Sequence, residues 1–173
     1  MPLSADIKDL IEHDNARARR LLRGIVAEAP HSVEARFLLA QAYLRRMEVE
    51  RALPLYLDVA ERDPKLAEAR HAAAYCRLSV GDYQGALAAY REAFHKLGTV
   101  YALGMSGLVL HRLGRLADAI AAYDKLLTMA PPASPSVPAA LQGIVAALRD
   151  AGKAAAAGKA PLGRTEGVWR LRR

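Results

Sequence analysis

The sequence predicts an all-α protein, an α-solenoid stacked from antiparallel helix hairpins, and three observations carry that prediction. One short pattern recurs along the chain, Ala and Leu dominate while aromatic residues make up 6% of it, and alternating runs of strong β formers are absent. The pattern is Ala52-Leu53-x-x-Tyr56, Ala86-Leu87-x-x-Tyr90 and Ala119-Ile120-x-x-Tyr123, at offsets of 34 and 33 residues. A fixed period of that length marks a repeat architecture.

Ahead of each copy stands a matching helical stretch: EARFLLAQAYLRR, EARHAAAYCRLSV and ALGMSGLVLHRLG. A turn at Met47, at Gly81-Asp82 or at Gly114-Arg115 joins the two halves, so each unit is helix A, turn, helix B. Where A crosses B the backbones approach closely and only small side chains fit, which accounts for Ala40, Ala74 and Gly107 on A and Ala52, Ala86 and Ala119 on B. Tyr56, Tyr90 and Tyr123 follow one turn later on the same face, where a ring fills the groove between successive units. Pro30, Pro64 and Pro131 end B helices, and the second unit ends instead at Gly98. Pro54 falls inside a B helix and predicts a kink or a late start there.

These residues resemble the tetratricopeptide repeat, a 34-residue helical hairpin with small residues at its eighth and twentieth positions, Gly near the fifteenth, an aromatic at the twenty-fourth and Pro at the thirty-second. The match spans units at about 33–66, 67–99 and 100–133, and it departs from the family at the fourth position, where Arg36, Arg70 and Leu103 replace the usual Trp. Residues 4–30 are expected to form a degenerate N-terminal hairpin with Ala18, Leu22 and Ile25 inward and Arg17, Arg19, Arg20 and Arg23 solvating its outer face. Ser136 and Pro138 start a capping helix at 137–151, which closes a repeat domain of residues 1–151 and leaves 152–173 as a flexible basic tail.

The resemblance implies a function of holding another protein, not catalysis. The A helices of such a stack line its concave side, and in the family that groove takes an extended peptide or a helix. By repeat register the groove positions are Phe37, Leu38, Gln41, Leu44, Arg45, His71, Tyr75, Leu78, Tyr101, Met105, Leu108, His111 and Arg112. Family members that clamp a C-terminal carboxylate carry Lys and Asn where this chain has Phe37, Gln41 and Ala72, so no such clamp is expected. The segment Val168-Trp169-Arg170-Leu171 is a candidate plug for the groove. Repeats of this kind also precede catalytic domains in bacterial proteins, so an accessory role to an enzyme acting in trans is the alternative.

Composition narrows the other classes. The net charge is +7, yet residues 151–173 hold six basic residues against Glu166 alone, while residues 1–150 hold nineteen against seventeen acids. The basicity is therefore a property of the tail, and nucleic-acid or anionic-surface binding through the WRLRR end is a minor alternative. Gly158 to Thr165 has phosphate-loop spacing, but Arg164 stands where the motif needs Lys and no strand precedes it. His13, His31, His71, His95 and His111 show no ligand spacing, although repeat register puts His71 and His111 in the same groove, and no metal or cofactor is expected. The one cysteine, Cys76, is expected to be core filler. The sequence shows no secretory leader and no apolar run able to span a bilayer, and Arg outnumbers Lys as in GC-rich bacterial genomes, so a cytoplasmic monomer or homodimer is the expectation.

Overall fold

The computed structural model describes residues 4–129, 142, 144–150 and 152–153. Among residues 4–129 eight helices follow one another: α1 (Ser4–His13), α2 (Asn15–Glu28), α3 (Val33–Arg45), α4 (Val49–Arg62), α5 (Ala67–Ser79), α6 (Tyr83–Leu97), α7 (Val100–Arg112) and α8 (Leu116–Met129). Each packs against its successor, and α1 reaches past α2 to touch α3, so the odd-numbered helices form one layer and the even-numbered helices the other. No strand occurs among the described residues. The fold is an α-solenoid of hairpins, and α1 with α2 makes a hairpin of its own in front of the three repeats.

The small and aromatic positions do what their spacing predicts. Ala40, Ala74, Ala52, Ala86 and Ala119 are wholly buried, as are Tyr56, Tyr90 and Tyr123. At Gly107 even a methyl group is too large, because an added Cβ there lands 2.7 Å from Cε1 and 2.9 Å from Cζ of Tyr123. Burial pushes the Tyr123 hydroxyl up to about 12 and holds Tyr56 and Tyr90 further above the ordinary phenol value. Cys76 is buried in the same core, which raises its thiol to about 11 and keeps it uncharged. The core runs as two large clusters, one from α1 to α5 and one from α5 to α8. Val145 and Leu148 of the helical stretch 144–150 belong to the second.

Helix ends follow local chemistry. Asp14, Ser32 and Asp82 accept the backbone N–H three residues on and cap α2, α3 and α6. The chain leaves α2 and α4 at Ala29 and Asp63, one residue before Pro30 and Pro64. Gly98 ends α6 in the left-handed region at φ 63°, its N–H donating to Phe94 O at 2.8 Å. Pro54 does not delay α4, which starts at Val49 and runs past it. Pro131, Ser136 and Pro138, and with them the start of the capping helix and most of the tail with the 158–165 loop and the Trp169 plug, lie outside the described residues.

The fourth position explains itself in space. Arg36 donates to the Pro30 carbonyl from Nε at 3.0 Å and also from Nη2, and pairs with Asp58 at 3.1 Å. Arg70 repeats the arrangement 34 residues later, donating to Pro64 O at 3.4 Å and reaching Glu92 at 3.5 Å. Each arginine thus ties the incoming loop and helix A to helix B of its own repeat, the corner a tryptophan would fill by bulk. We expect Arg36→Met to lower unfolding free energy by roughly 1–2 kcal/mol, since it leaves Asp58 without its interhelical partner. A urea midpoint unchanged by that substitution would show the bracket to be ornamental.

Arg19 departs from expectation. It does not solvate the outer face, because it bonds Glu48 and lies over the Tyr43 ring at 5.6 Å from its centroid, fastening α2 to the first repeat. Arg17, Arg20 and Arg23 are exposed.

Candidate functional site

Two hollows open along the layer of odd-numbered helices and meet at shared residues. The larger, about 610 Å³, lies between α1, α3 and α5 and is lined by Lys8, Ile11, Glu12, Gln41, Leu44, Arg45, Met47, Tyr56 and Tyr75. The second, about 420 Å³, lies between α3, α5 and α7 and is lined by Leu44, Glu68, His71, Ala72, Tyr75 and Tyr101. Leu44 and Tyr75 belong to both, so the hollows form one continuous concave surface. Helical periodicity sets this up: Gln41, Leu44 and Arg45 lie within one turn of each other on α3, as do His71, Ala72 and Tyr75 on α5.

The aromatic side chains of this surface are open to solvent, Tyr75 at 38% and Tyr101 at 53% exposure. Rings left out in this way present apolar area with a polar tip at low cost in side-chain entropy. Tyr101 is steadied by His71, whose ring lies 4.9 Å away and whose Nε2 is 2.9 Å from Thr99 Oγ1. Burial lowers the His71 basicity, so the ring is neutral at pH 7 and the second hollow carries only the charge of Glu68. In the first hollow Arg45 faces Glu12 at 3.8 Å, a loose exposed pair, with Lys8 beside it.

Met47 was visible in the sequence only as a turn. It holds φ 58°, the one described non-glycine residue in the left-handed region, where Gly81 and Gly114 stand in the next two repeats. It is also 63% exposed at the edge of the first hollow. A side chain in that conformation is disfavoured, and an exposed methionine gains little by burial, so the fold alone does not account for it.

Of the thirteen groove positions expected from register, the structure brings six together in the hollows: Gln41, Leu44, Arg45, His71, Tyr75 and Tyr101. Leu38 is a correction. It is 1% exposed inside the first core cluster, because the inward face of α3 takes Leu38 together with Leu39 and Ala42. Phe37 is half-buried edge-on to Tyr56 at 5.7 Å, and Leu78 and Met105 pack against the second cluster. Leu108, His111 and Arg112 lie on α7 beyond the hollows. His111 does not join His71: Tyr101 holds the His71 end of α7, and His111 is ten residues on, about 15 Å along the helix axis. Sequence reasoning missed Lys8, Ile11, Glu12 and Glu68, the first three because α1 joins the groove as a further wall.

Among the described residues no group of three or more His, Cys, Asp or Glu side chains is placed to hold a metal ion, and no helix is long and apolar enough to cross a membrane.

Two family models, both for the tetratricopeptide repeat, match residues 9–76 and 71–138. No curated protein matches the chain in sequence. Among solved structures, one titled as the crystal structure of MamA protein superposes with a TM-score of 0.67 at 20% identity, covering 91% of this chain and 92% of that one. Another MamA structure gives 0.66 at 18% identity, with 87% and 95% covered. TTC0263, a thermophilic TPR protein in Thermus thermophilus, gives 0.63 at 21% identity, with 83% and 77% covered. At such identities the likeness is one of fold. The repeat period, the small and aromatic positions, the stacked hairpins and the two matches that together run from α1 past α8 agree, and the chain belongs to the tetratricopeptide repeat family.

Proposed function

We propose that this protein is a non-catalytic scaffold that holds a peptide or helix of a partner protein in the concave groove between α1, α3, α5 and α7. The observation that carries the reading is the junction of the two hollows at Leu44 and half-exposed Tyr75, with Met47 and Tyr101 standing open on either side. Exposed apolar and aromatic area gathered in a concavity is the usual mark of a protein-binding surface. The chemistry of the lining selects the ligand: apolar side chains over Ile11, Leu44 and Tyr75, with polar contacts to Lys8, Gln41, Arg45 and Glu68 fixing register. Affinity is expected to be modest, because a flexible ligand must be ordered on binding.

Affinity capture from a lysate of the source organism tests this. Wild-type protein should retain a partner that a Tyr75→Glu/Tyr101→Glu variant, shown by circular dichroism to stay helical, does not retain. Capture of the same set by both proteins sinks the groove reading.

A further inference from the structure

The opposite side of the third repeat carries a hollow of its own. It measures about 400 Å³ and lies between α6 and α8 with α7 as its floor: Leu103, Ser106 and Leu110 beneath, Phe94, Ala121 and Ala122 at the sides, and Arg91, His95, Asp118 and Lys125 around the rim. On α7 the floor residues Leu103, Ser106 and Leu110 stand about 180° around the helix from Tyr101, Met105 and Leu108, so this hollow is separate from the concave groove.

Repeat register shows why it opens here. In the first two repeats the fourth position is Arg36 or Arg70, which pairs with the acid 22 residues on, Asp58 or Glu92. In the third repeat the same two positions are Leu103 and Lys125. The ion pair that occupies this corner twice is thus replaced by an apolar residue and a cation, and both now line an open hollow. At the eleventh position Tyr43 and Arg77 give way to Leu110, another loss of a long polar or aromatic group. The sign of the rim follows. Lys125 lies over the Phe94 ring at 4.7 Å, and among the described residues neither it nor Arg91 has an acidic partner. Among the described residues the one carboxylate of the rim is Asp118, which is taken by Arg115 at 2.7 Å.

We infer that this hollow is a second docking site, for an acidic protein segment that seats an apolar side chain over Leu103 and Leu110 and sets its carboxylates against Lys125 and Arg91. Charge complementarity identifies the occupant: an apolar floor inside a cationic rim attracts a carboxylate-flanked apolar anchor and repels a basic one, including this chain's own basic C-terminal sequence.

The test uses the full chain, isotope-labelled, titrated with a capped Glu-Glu-Leu-Leu-Glu-Glu peptide and, separately, with its lysine counterpart. The acidic peptide should shift the backbone amides of Ser106, Ala121 and Ala122 and leave those of Tyr75 and Tyr101 in place, and the lysine peptide should shift none of them. Lys125→Glu should weaken binding by at least about tenfold. The double variant Leu103→Arg/Lys125→Glu rebuilds the arginine–acid bracket of the second repeat, so it should stay folded and lose the peptide. Absence of shifts, shifts confined to α3 and α5, equal response to the lysine peptide, or undiminished binding by a folded Lys125→Glu or bracket variant each overturns the proposal.

Discussion

Gly107→Ala lowers the stability of this protein by roughly 1–2 kcal/mol, although the same change in an open helix raises it by up to about 1 kcal/mol. The sign is set by Tyr123, whose Cε1 lies 2.7 Å from where the new methyl group must go. The ring is 2% exposed and enclosed by the second core cluster, so it yields only by disturbing its neighbours. Truncating the ring gives the other arm: Tyr123→Ala costs about 3–5 kcal/mol through lost burial and the cavity left behind. Combined, the two substitutions should be less harmful than their sum by about 2–3 kcal/mol, because the methyl group then enters vacated space and the helix keeps its propensity gain. Tyr123→Phe is nearly neutral or slightly stabilising, since the buried hydroxyl has no hydrogen-bond partner among the described residues and its removal leaves no orphan there. Urea unfolding of the four proteins measures the cycle. Equal cost of Gly107→Ala with and without the Tyr123 ring refutes the steric account.

The second large effect concerns binding and rests on the proposed function. Once a partner peptide is in hand, Leu44→Ala/Tyr75→Ala should weaken its binding by about a hundredfold, close to 2.7 kcal/mol, because these residues sit where the two hollows join and central, desolvated contacts dominate interface energies. Leu108→Ala and Arg112→Ala, placed on the groove by register but beyond the hollows, should weaken it less than about threefold. Titration calorimetry on folded variants decides between the geometric subset and the full register stripe. A uniform loss across all four positions would favour the stripe.

The two effects involve different layers of the same stack. Tyr123 and Gly107 fix how α7 meets α8, and the concave surface exists because such crossings hold each odd-numbered helix at a set angle to the next. The A–B crossing is closed by small residues in every repeat, whereas the outer corner is closed by a long arginine in two repeats and left open in the third. One fold therefore carries a repeated way of stacking and two surfaces that differ in chemistry: a concave one rich in exposed tyrosine, and an opposite one with leucine under lysine and arginine.

The sequence by itself determined the helical hairpins, their period and the buried ladder of Ala40, Ala74, Ala52, Ala86, Ala119, Tyr56, Tyr90 and Tyr123. Those features are local or recur at a fixed spacing, so one dimension suffices to see them. Register also singled out one face of the odd-numbered helices, on which six of the thirteen positions it named line the two hollows, but register names a helix face and not the depth of each residue on it. Only the tertiary structure decided that Leu38 turns into the core, that α1 brings Lys8, Ile11 and Glu12 into the groove, that Met47 takes the left-handed turn with its side chain exposed, and that Arg36 and Arg70 bracket two repeats where Leu103 leaves the third open. These outcomes depend on which side chains of distant helices reach the same space, and that is settled by packing and not by periodicity.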